Sequence, residues 1–434
     1  MATKTRATAF ATISVAVALV ASACGGGDDD TDDGEPLVGA GASPATTTVV
    51  PTDDPPPWTQ AAPATTVAPQ TTAAPATTQL PQTTDPSGPS HDLAAGLASI
   101  VETTGVPALG AMAIDSGGVL GVATAGVRAR GDDAPATPDD LFHIGSNTKA
   151  MTAALVGRLE ANGAGIGFDT TLAEAFSSVD VDAGYADVTI ADLLAHAGGA
   201  PTDAQLPPDI EAFLEQFDAA AGRFEVARMV LAQAPANEPG TLSNYSNAGY
   251  VIVGAALEAA TGEAWEDLMR SQVFEPLEMT SCGFGAPGTE ADLTQPRGHD
   301  GDSGEPVFDG LPPAVGPAGT VHCTMSDWSR FLGELLRGAT GDSEYVDAVT
   351  VERLFAPVAP VADAPHLGYA LGWIVVDGPN GPVALHNGSN TYWYSEAYVV
   401  PDADRAVLAV SNEASSGELA VAQALELLSS EFPG

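Results

Sequence analysis

The sequence predicts an α/β (α+β) domain whose sheet is assembled from its N- and C-terminal segments, with a helical insertion between them. Two β-like runs, 108–115 and 120–127, lie near the start of the region 91–434 and are joined by the turn 116–118. Strand-like runs return only near the C-terminus, and helical patterns dominate the stretch between. This order favours one sheet shared by both ends of the domain.

Each element follows from a local pattern. An opening helix is predicted at about 92–102, and 150–161 has an apolar helix face that stops at an Asn-Gly pair. Thr189 and Asp192 have the spacing of a capping box, which predicts a helix start. The remaining predicted elements are helices at 189–196, 248–261, 264–274 and 418–429 and strands at 369–376, 383–385, 394–400 and 406–411.

Composition excludes several classes of protein. The chain has 434 residues, 44% of them hydrophobic, which is enough for a large core. A formal net charge of −43 leaves no basic surface for nucleic acid. The three cysteines lack the spacing of a structural zinc site, so we expect no metal and no cofactor. No apolar stretch is long enough for a polytopic membrane protein.

The N-terminus predicts export. Lys4 and Arg6 precede an apolar run, Phe10–Val20, that is typical of a signal peptide over residues 1–23. Small residues before Cys24 fit two interpretations. In the first, signal peptidase releases a secreted protein after an Ala-x-Ala pattern; in the second, Cys24 is lipidated, as in a bacterial lipoprotein. The second interpretation predicts a cell-surface protein whose contact with the membrane is its N-terminal lipid anchor.

Residues 24–90 predict a disordered tether rich in Thr, Pro and Ala. Positions 36–90 hold 12 Pro and 13 Thr among 55 residues, so the segment cannot bury enough surface to offset its ordering entropy. The sequence of 61–72 recurs at 73–84 with few changes, which indicates a spacer or an inert tail rather than a solenoid. The folded domain is predicted over 91–434, where 48 acidic and 12 basic residues leave a charge of −36.

One lysine is the strongest chemical signal in the sequence. Lys149 is the only lysine beyond the signal peptide, against eleven arginines. It follows Ser146 at i+3 near the start of a predicted helix, which puts the hydroxyl and the amine on one face. Burial would disfavour the ammonium form, so a neutral amine could take the serine proton. A capping serine with an exposed lysine is the structural alternative.

Three motifs stand in order along the domain: Ser146-x-x-Lys149, Tyr245-x-Asn247 and His386-x-Gly388. They resemble the signature motifs of the penicillin-recognising serine hydrolases, in the β-lactamase-related branch that contains class C β-lactamases, DD-carboxypeptidases and esterases. The resemblance covers essentially all of residues 91–434. Further stretches that look like family landmarks are 191–201, 274–279, 318–320 and 326–332.

The resemblance implies a β-lactamase/transpeptidase-like fold with an antiparallel sheet, and a role for each catalytic residue. Ser146 is expected to be the acylated nucleophile and Lys149 its general base. Tyr245 is expected to shuttle protons to and from the leaving group. Asn247 is expected to orient the substrate and the lysine.

The resemblance also implies a substrate-binding strand. The backbone N–H groups of Ser146 and Ser389 are expected to form the oxyanion hole, with Ser389 on an edge strand beside Gly388. His386 stands where β-lactamases usually carry lysine and where some carboxypeptidases and esterases carry histidine. Histidine is largely neutral at pH 7. This favours a neutral ester or amide over an anionic peptide, unless a distant arginine such as Arg330 or Arg405 folds into place.

The predicted function is an exported serine acyl hydrolase that forms an acyl-enzyme, most simply an esterase acting on a small ester or amide. The alternative activities are a D-Ala-D-Ala carboxypeptidase, with a cell-wall peptide as substrate, and a class C-like β-lactamase. The alternative from another class is a non-catalytic receptor for penicillin or cell-wall fragments. A complete set of Ser146, Lys149 and Tyr245 disfavours the receptor, and the oligomeric state stays open.

The other cysteines and two histidines carry weaker signals. If Cys24 is lipidated, Cys282 and Cys323 remain an even pair, and an exported protein permits a disulfide without requiring it. His196 lies in a helix-end turn, where the family resemblance implies a structural role. His322 is also expected to be structural, since neither it nor the adjacent Cys323 has partners at the spacing of a metal site.

Overall fold

The structure, a computed structural model, describes residues 93–291 and 293–433; Cys24, the predicted signal peptide and the predicted tether lie outside the described residues. The strands are β1 (Ala108–Asp115), β2 (Gly118–Gly126), β3 (Phe142–His143), β4 (Gly283–Phe284), β5 (Gly298–His299), β6 (Pro306–Val307), β7 (Val321–Cys323), β8 (Ala359–Val361), β9 (Ala364–Tyr369), β10 (Ile374–Gly378), β11 (Gly381–Ser389), β12 (Tyr394–Val400) and β13 (Arg405–Ser411).

The α-helices are α1 (Leu93–Thr104), α2 (Thr148–Ala161), α3 (Leu172–Ala175), α4 (Ile190–Leu194), α5 (Ile210–Leu214), α6 (Ala219–Leu231), α7 (Asn247–Thr261), α8 (Trp265–Met269), α9 (Gly316–Gly319), α10 (Met325–Thr340), α11 (Ala348–Phe355) and α12 (Gly417–Glu431). Short 3₁₀ turns and one π turn, Arg270–Phe274, connect some of them. Within the described ranges, none of these helices has the length and hydropathy of a membrane span.

One antiparallel sheet joins the two ends of the domain. Its strand order is β2-β1-β13-β12-β11-β10-β9-β8. The N-terminal and C-terminal parts meet where Leu109 of β1 lies opposite Ser411 of β13. Every neighbouring pair in this sheet is antiparallel. The predicted fold class, an antiparallel sheet built from both terminal segments and flanked by helices, is therefore confirmed.

The two faces of the sheet enter different cores, because side chains alternate along each strand. Leu109 of β1 belongs to the core beneath α1 and α12, where it packs with Leu97 and Leu425. Met112 of the same strand belongs to a larger core on the opposite face, which also takes up α2, α7 and α10. Ile144 and Ala150, which flank the first motif, belong to this larger core, whereas Tyr245 of the second motif packs against the smaller one.

Local signals located some elements better than others. The predicted capping box is confirmed: Thr189 Oγ1 accepts from the Asp192 N–H at 3.2 Å, and Asp192 Oδ2 accepts from the Thr189 N–H at 2.9 Å. The prediction of a single strand at 369–376 is wrong, because residues 370–373 interrupt it between the end of β9 and the start of β10. Gly372, in this interruption, has φ +81°, and a Cβ there would lie 2.9 Å from the Lys149 carbonyl oxygen. Six helices of the described residues fall outside the predicted ones: α3, α5, α6, α9, α10 and α11.

A small sheet, β3-β7-β4, holds the segment that precedes Ser146. Phe142 of β3 pairs with Cys323 of β7, and Cys323 forms a disulfide with Cys282, which directly precedes β4. The pairing that the sequence left open is therefore present in the structure. The disulfide joins residues 41 positions apart and links β7, which pairs with β3 just before Ser146, to the start of β4.

Glu396 is a buried carboxyl on β12, directly opposite Asn387 of β11. It is 2% exposed and accepts a hydrogen bond from Tyr398 Oη at 2.9 Å. Burial raises the pKa of Glu396 to about 8 despite that hydrogen bond, and the nearby Glu418 adds to the rise. The folded protein therefore holds a proton at neutral pH that the unfolded chain releases.

We expect thiol counting on the denatured, unreduced protein to find no free thiol at Cys282 or Cys323, with peptide masses used to separate them from Cys24. Replacing both by serine should lower the free energy of unfolding by about 4 kcal/mol through loop-closure entropy, measured by urea unfolding. Wild type in reductant is the control and should match the double variant. Two free thiols, or equal stability of the oxidised and double-serine proteins, would contradict the disulfide.

The pKa of Glu396 predicts a pH dependence of stability. Because the folded state binds the extra proton, this group's contribution is fully present below about pH 4.5 and is lost as pH rises through about 8. Glu396→Gln removes this pH dependence. The free energy of unfolding of the variant minus that of wild type should therefore be about 4 kcal/mol higher at pH 8.5 than at pH 5. Parallel urea titrations at the two pH values measure this, with the exposed Glu102→Gln as control; identical pH profiles of wild type and Glu396→Gln would refute it.

Candidate active site

Ser146 lies in a single 3₁₀ turn, residues 145–147, between β3 and α2. The Ile144 N–H donates to the Val321 carbonyl at 3.0 Å and so fixes the entry to the turn on the small sheet. Gly145 has φ +50°, in the left-handed region that favours glycine. The reversal at Gly145 brings Ser146 to the start of α2.

The first two motifs meet at the serine. Ser146 Oγ lies 3.0 Å from Lys149 Nζ and accepts a hydrogen bond from Tyr245 Oη at 2.7 Å. Lys149 is fully buried, whereas Ser146 and Tyr245 are half-buried. Lys149 Nζ also lies 4.7 Å from the centroid of the Tyr245 ring. The N-terminal ends of α2 and α7 thus bring a hydroxyl, an amine and a phenol together.

Oxygen atoms surround the lysine amine. Lys149 Nζ donates to Asn247 Oδ1 and to the Ala318 carbonyl, each at 2.7 Å. The Asn247 Nδ2 group in turn donates to Asp203 Oδ2 at 2.7 Å. The Asn247 amide therefore bridges the buried amine and an exposed carboxylate.

The third motif packs directly against the serine turn. An added Cβ at Gly388 would lie 2.1 Å from the Ile144 carbonyl oxygen and 2.8 Å from the Ser146 nitrogen. A Cβ at Gly145 would lie 2.5 Å from the Ser389 nitrogen. Both approaches are possible only for glycine. They bring the Ser146 and Ser389 amides close together, which is the arrangement that an oxyanion hole requires.

The predicted edge position of Ser389 is wrong, since β11 lies between β10 and β12. Pairing with β10 ends at Leu385, however, while pairing with β12 continues to Ser389. Residues 386–389 are therefore paired in the sheet on the β12 side only. From β12, Ser395 Oγ donates to the Ile144 carbonyl at 2.8 Å and anchors the serine turn to the sheet.

His386 is a neutral group at ordinary pH. Its ring is fully buried, and Nε2 lies 2.6 Å from Tyr369 Oη. Burial lowers the pKa of His386 to about 3, and the charge of Lys149 contributes to the decrease. The position where the resemblance implies a cation or a histidine thus holds an uncharged ring.

His196, expected to be structural, packs against the site residues. Its ring centroid lies 4.3 Å from that of Tyr245 and 4.6 Å from that of Tyr369. His196 Nδ1 accepts from the Ser246 N–H at 3.1 Å, and within the described chain Nε2 has no hydrogen-bond partner. Burial, followed by the charge of Lys149, holds the pKa of His196 well below its usual value. The neutral His196 ring therefore packs against the Tyr245 ring.

The two arginines named as possible substitutes for a third-motif charge lie elsewhere. Arg330 contacts Glu278 at 3.2 Å and Asp327 at 3.5 Å. Arg405 lies opposite Val400, at the end of β12 that is remote from Ser389. Among residues 93–291 and 293–433, no group of three or more His, Cys, Asp and Glu side chains is arranged to hold a metal ion.

Sequence reasoning missed three contributors to the site: the Asp203 carboxylate, the Ala318 carbonyl and the Tyr369 hydroxyl. Ala318 lies in a stretch noted only as a landmark, and Tyr369 was noted only as the start of a strand. Asp203 follows Thr202, whose spacing to Gln205 is a capping signal that the structure bears out. That signal locates a turn but does not indicate that the turn lies beside Asn247.

Known proteins share both sequence and fold with this chain. A family model described as Beta-lactamase matches residues 91–430. Penicillin-binding protein 4 of Amycolatopsis lactamdurans is 31% identical over 306 residues, which cover 67% of this chain and 77% of that protein. Unguisins hydrolase ungD' of Aspergillus campestris is 26% identical over 303 residues, which cover 65% of this chain and 54% of that protein.

Among solved structures, the octameric penicillin-binding protein homologue from Pyrococcus abyssi matches with a TM-score of 0.65 and 22% identity, over 77% of this chain and 76% of that one. At this identity the likeness concerns the fold alone. The family model, by contrast, covers most of the chain, and the Amycolatopsis relative matches over more than two thirds of its own length. The chain therefore belongs to the Beta-lactamase family, and the prediction of a serine hydrolase of this family is confirmed.

Proposed function

We propose that this protein is an exported serine acyl hydrolase that forms an acyl-enzyme on Ser146 and acts on a small ester or amide. One observation carries the proposal: Ser146 Oγ lies within hydrogen-bonding distance of both Lys149 Nζ, at 3.0 Å, and Tyr245 Oη, at 2.7 Å. A hydroxyl between an amine and a phenol has one group to take its proton and a second to pass a proton onward.

The contacts of Lys149 Nζ fit both protonation states through which a general base passes: as an ammonium it donates to Ser146 Oγ, Asn247 Oδ1 and the Ala318 carbonyl. A neutral amine has two N–H groups and one lone pair, and two of the neighbours of Nζ are acceptors, Asn247 Oδ1 and the Ala318 carbonyl. If these take both N–H groups, the lone pair is left for the Ser146 hydroxyl. The Ser146 oxygen meanwhile accepts from Tyr245. Every donor in this network then has an acceptor.

The proposed reaction has two stages. Ser146 Oγ attacks the substrate carbonyl carbon while its proton passes to Lys149, and the negative charge on the carbonyl oxygen is stabilised by the Ser146 and Ser389 N–H groups. Collapse of the intermediate breaks the bond to the leaving group, which takes a proton through Tyr245. Water then attacks the acyl-enzyme, and its proton passes through Tyr245 to Ser146 Oγ. The bond between Ser146 Oγ and the acyl carbon breaks, which releases the acid and restores the Ser146 hydroxyl.

Charge favours a substrate without a carboxylate near the scissile bond. The domain carries −36 over residues 91–434, and the buried His386 is neutral because burial lowers its pKa to about 3. An anionic group would approach a negative surface without a cation at the third motif. A neutral ester or amide avoids this cost.

A penicillin-binding activity is the second candidate, and the similarity to Penicillin-binding protein 4 favours it. It includes a D-Ala-D-Ala carboxypeptidase and a class C-like β-lactamase, as well as a receptor that is acylated without turnover. Incubation with a fluorescent penicillin and with p-nitrophenyl acetate separates these activities. Ester turnover supports the proposed hydrolase, whereas a stable one-to-one penicillin adduct without turnover supports the receptor or a slow carboxypeptidase.

Export remains part of the proposal. The basic and apolar pattern of residues 1–23 supports a signal peptide. Cys24 would carry the lipid in a cell-surface lipoprotein, and the segment 24–90 would be its tether. Mass analysis of the mature N-terminus distinguishes lipidated Cys24 from a free, secreted N-terminus.

Ser146→Ala should lower turnover of p-nitrophenyl acetate by about a thousandfold or more, because the attacking atom is removed. The variant should also lose covalent labelling by a fluorescent phosphonate, and its thermal unfolding should stay close to that of wild type. Ser99→Ala, an exposed serine on α1, is the matched control. Wild-type turnover by the Ser146→Ala variant would rule out the mechanism.

Tyr245→Phe should keep covalent labelling at Ser146 but lower steady-state turnover of a p-nitroanilide about a hundredfold, because the anilide nitrogen must take a proton as it leaves and that delivery is lost. The matched control is Tyr345→Phe, which removes a buried hydroxyl that has no hydrogen-bond partner among residues 93–291 and 293–433. Labelling and turnover are measured on the same samples by mass spectrometry and absorbance. If turnover of the Tyr245→Phe variant equals that of the control, Tyr245 does not lie on the proton path.

A further inference from the structure

Asp203 places a carboxylate beside the candidate catalytic residues. Its Oδ2 accepts a hydrogen bond from Asn247 Nδ2 at 2.7 Å, and Asn247 Oδ1 accepts from Lys149 Nζ at 2.7 Å. Only the Asn247 amide separates the carboxylate from the amine that contacts Ser146 Oγ. Asp203 is nevertheless exposed to solvent, whereas Lys149 on the other side of the Asn247 amide is buried.

Local structure does not require this carboxylate. The turn Asp203–Gln205 is stabilised by its neighbours: the Thr202 N–H donates to Gln205 Oε1 at 2.9 Å, and the Gln205 N–H donates to the Thr202 carbonyl at 2.9 Å. Asn247 uses one of about four acceptor positions on the Asp203 carboxylate. The other positions remain for a donor on the substrate.

The charges around the serine are unevenly distributed. Lys149 is fully buried behind Ser146, whereas Asp203 is exposed. His386 is neutral, since burial holds its pKa at about 3, and Arg330 is paired with acidic side chains elsewhere. A substrate group that reaches Asp203 therefore meets a negative charge, which favours a cation and repels an anion.

We propose that Asp203 is a specificity-determining residue that selects substrates with a protonated amine next to the scissile carbonyl, as in an unblocked α-amino acyl amide or ester. This inference rests on the proposed function, because it assumes acyl transfer to Ser146. The α-ammonium group is two bonds from the carbonyl carbon and has three N–H donors. A charge-assisted hydrogen bond to Asp203 orients the acyl group relative to Ser146 and Asn247.

Two anilides of nearly equal shape test the proposal. Alanine p-nitroanilide carries the ammonium group, and isobutyric acid p-nitroanilide has a methyl group in its place. The quantity measured is the ratio of kcat/KM for the two, with D- and L-alanine assayed separately. Comparing this ratio between variants cancels the difference in intrinsic reactivity of the two substrates.

Asp203→Asn is the central variant, since its side-chain oxygen can still accept from Asn247 while its charge is lost. We expect the ratio to fall about tenfold for the better alanine enantiomer. Higher ionic strength should lower the ratio of wild type but not that of Asp203→Asn. Asp209→Asn is the matched control, because Asp209 is also exposed and its side chain does not cap its helix.

The outcomes separate this inference from the function on which it rests. An unchanged ratio in Asp203→Asn, an equal fall in Asp209→Asn, or no hydrolysis of either alanine enantiomer by wild type would overturn the selection of a cation. The proposed function is tested apart from it, with p-nitrophenyl acetate and the Ser146→Ala variant. If the ester is hydrolysed through Ser146 while the ratios do not change, the hydrolase stands and the role of Asp203 is wrong.

Discussion

The close approach of two backbones is the constraint on which the candidate site depends. Gly145 and Gly388 leave no room for a Cβ between the serine turn and β11, and this contact places the Ser146 and Ser389 amides side by side. Ser395 Oγ reinforces the contact from β12. Because β12 pairs with β13 and β13 with β1, the position of the serine turn relative to the oxyanion site is coupled to the whole sheet. A sheet assembled from both ends of the domain is therefore part of the catalytic geometry.

Burial of ionisable groups is the second common theme of the site. Lys149, His196 and His386 lie together in a region from which solvent is excluded, and burial lowers the pKa of both histidines. The histidines then serve as neutral polar rings that contact Tyr245 and Tyr369 and do not compete with the lysine for protons. This arrangement agrees with the proposed role of Lys149 as the group that exchanges a proton with the serine.

Family membership and substrate choice rest on different parts of the molecule. The motifs and the sheet place the chain in the Beta-lactamase family, but a shared fold does not specify the acyl group that a site accepts. In this chain the third motif is uncharged, the domain carries −36 over residues 91–434, and Asp203 lies beside Asn247. These features are the basis on which we propose a neutral or cationic substrate rather than an anionic one.

The sequence by itself determined the parts that depend on neighbours along the chain: the i, i+3 pair of Ser146 and Lys149, the capping box that opens α4, and the order of strands, helices and strands. Only the tertiary structure decided which distant groups meet, such as Asp203 with Asn247, 44 positions apart, and the paired Cys282 and Cys323. Local patterns report hydrogen bonds and periodicity within a segment. Strand register and helix packing decide the contacts between segments, so the sequence located the catalytic motifs but not the carboxylate beside them.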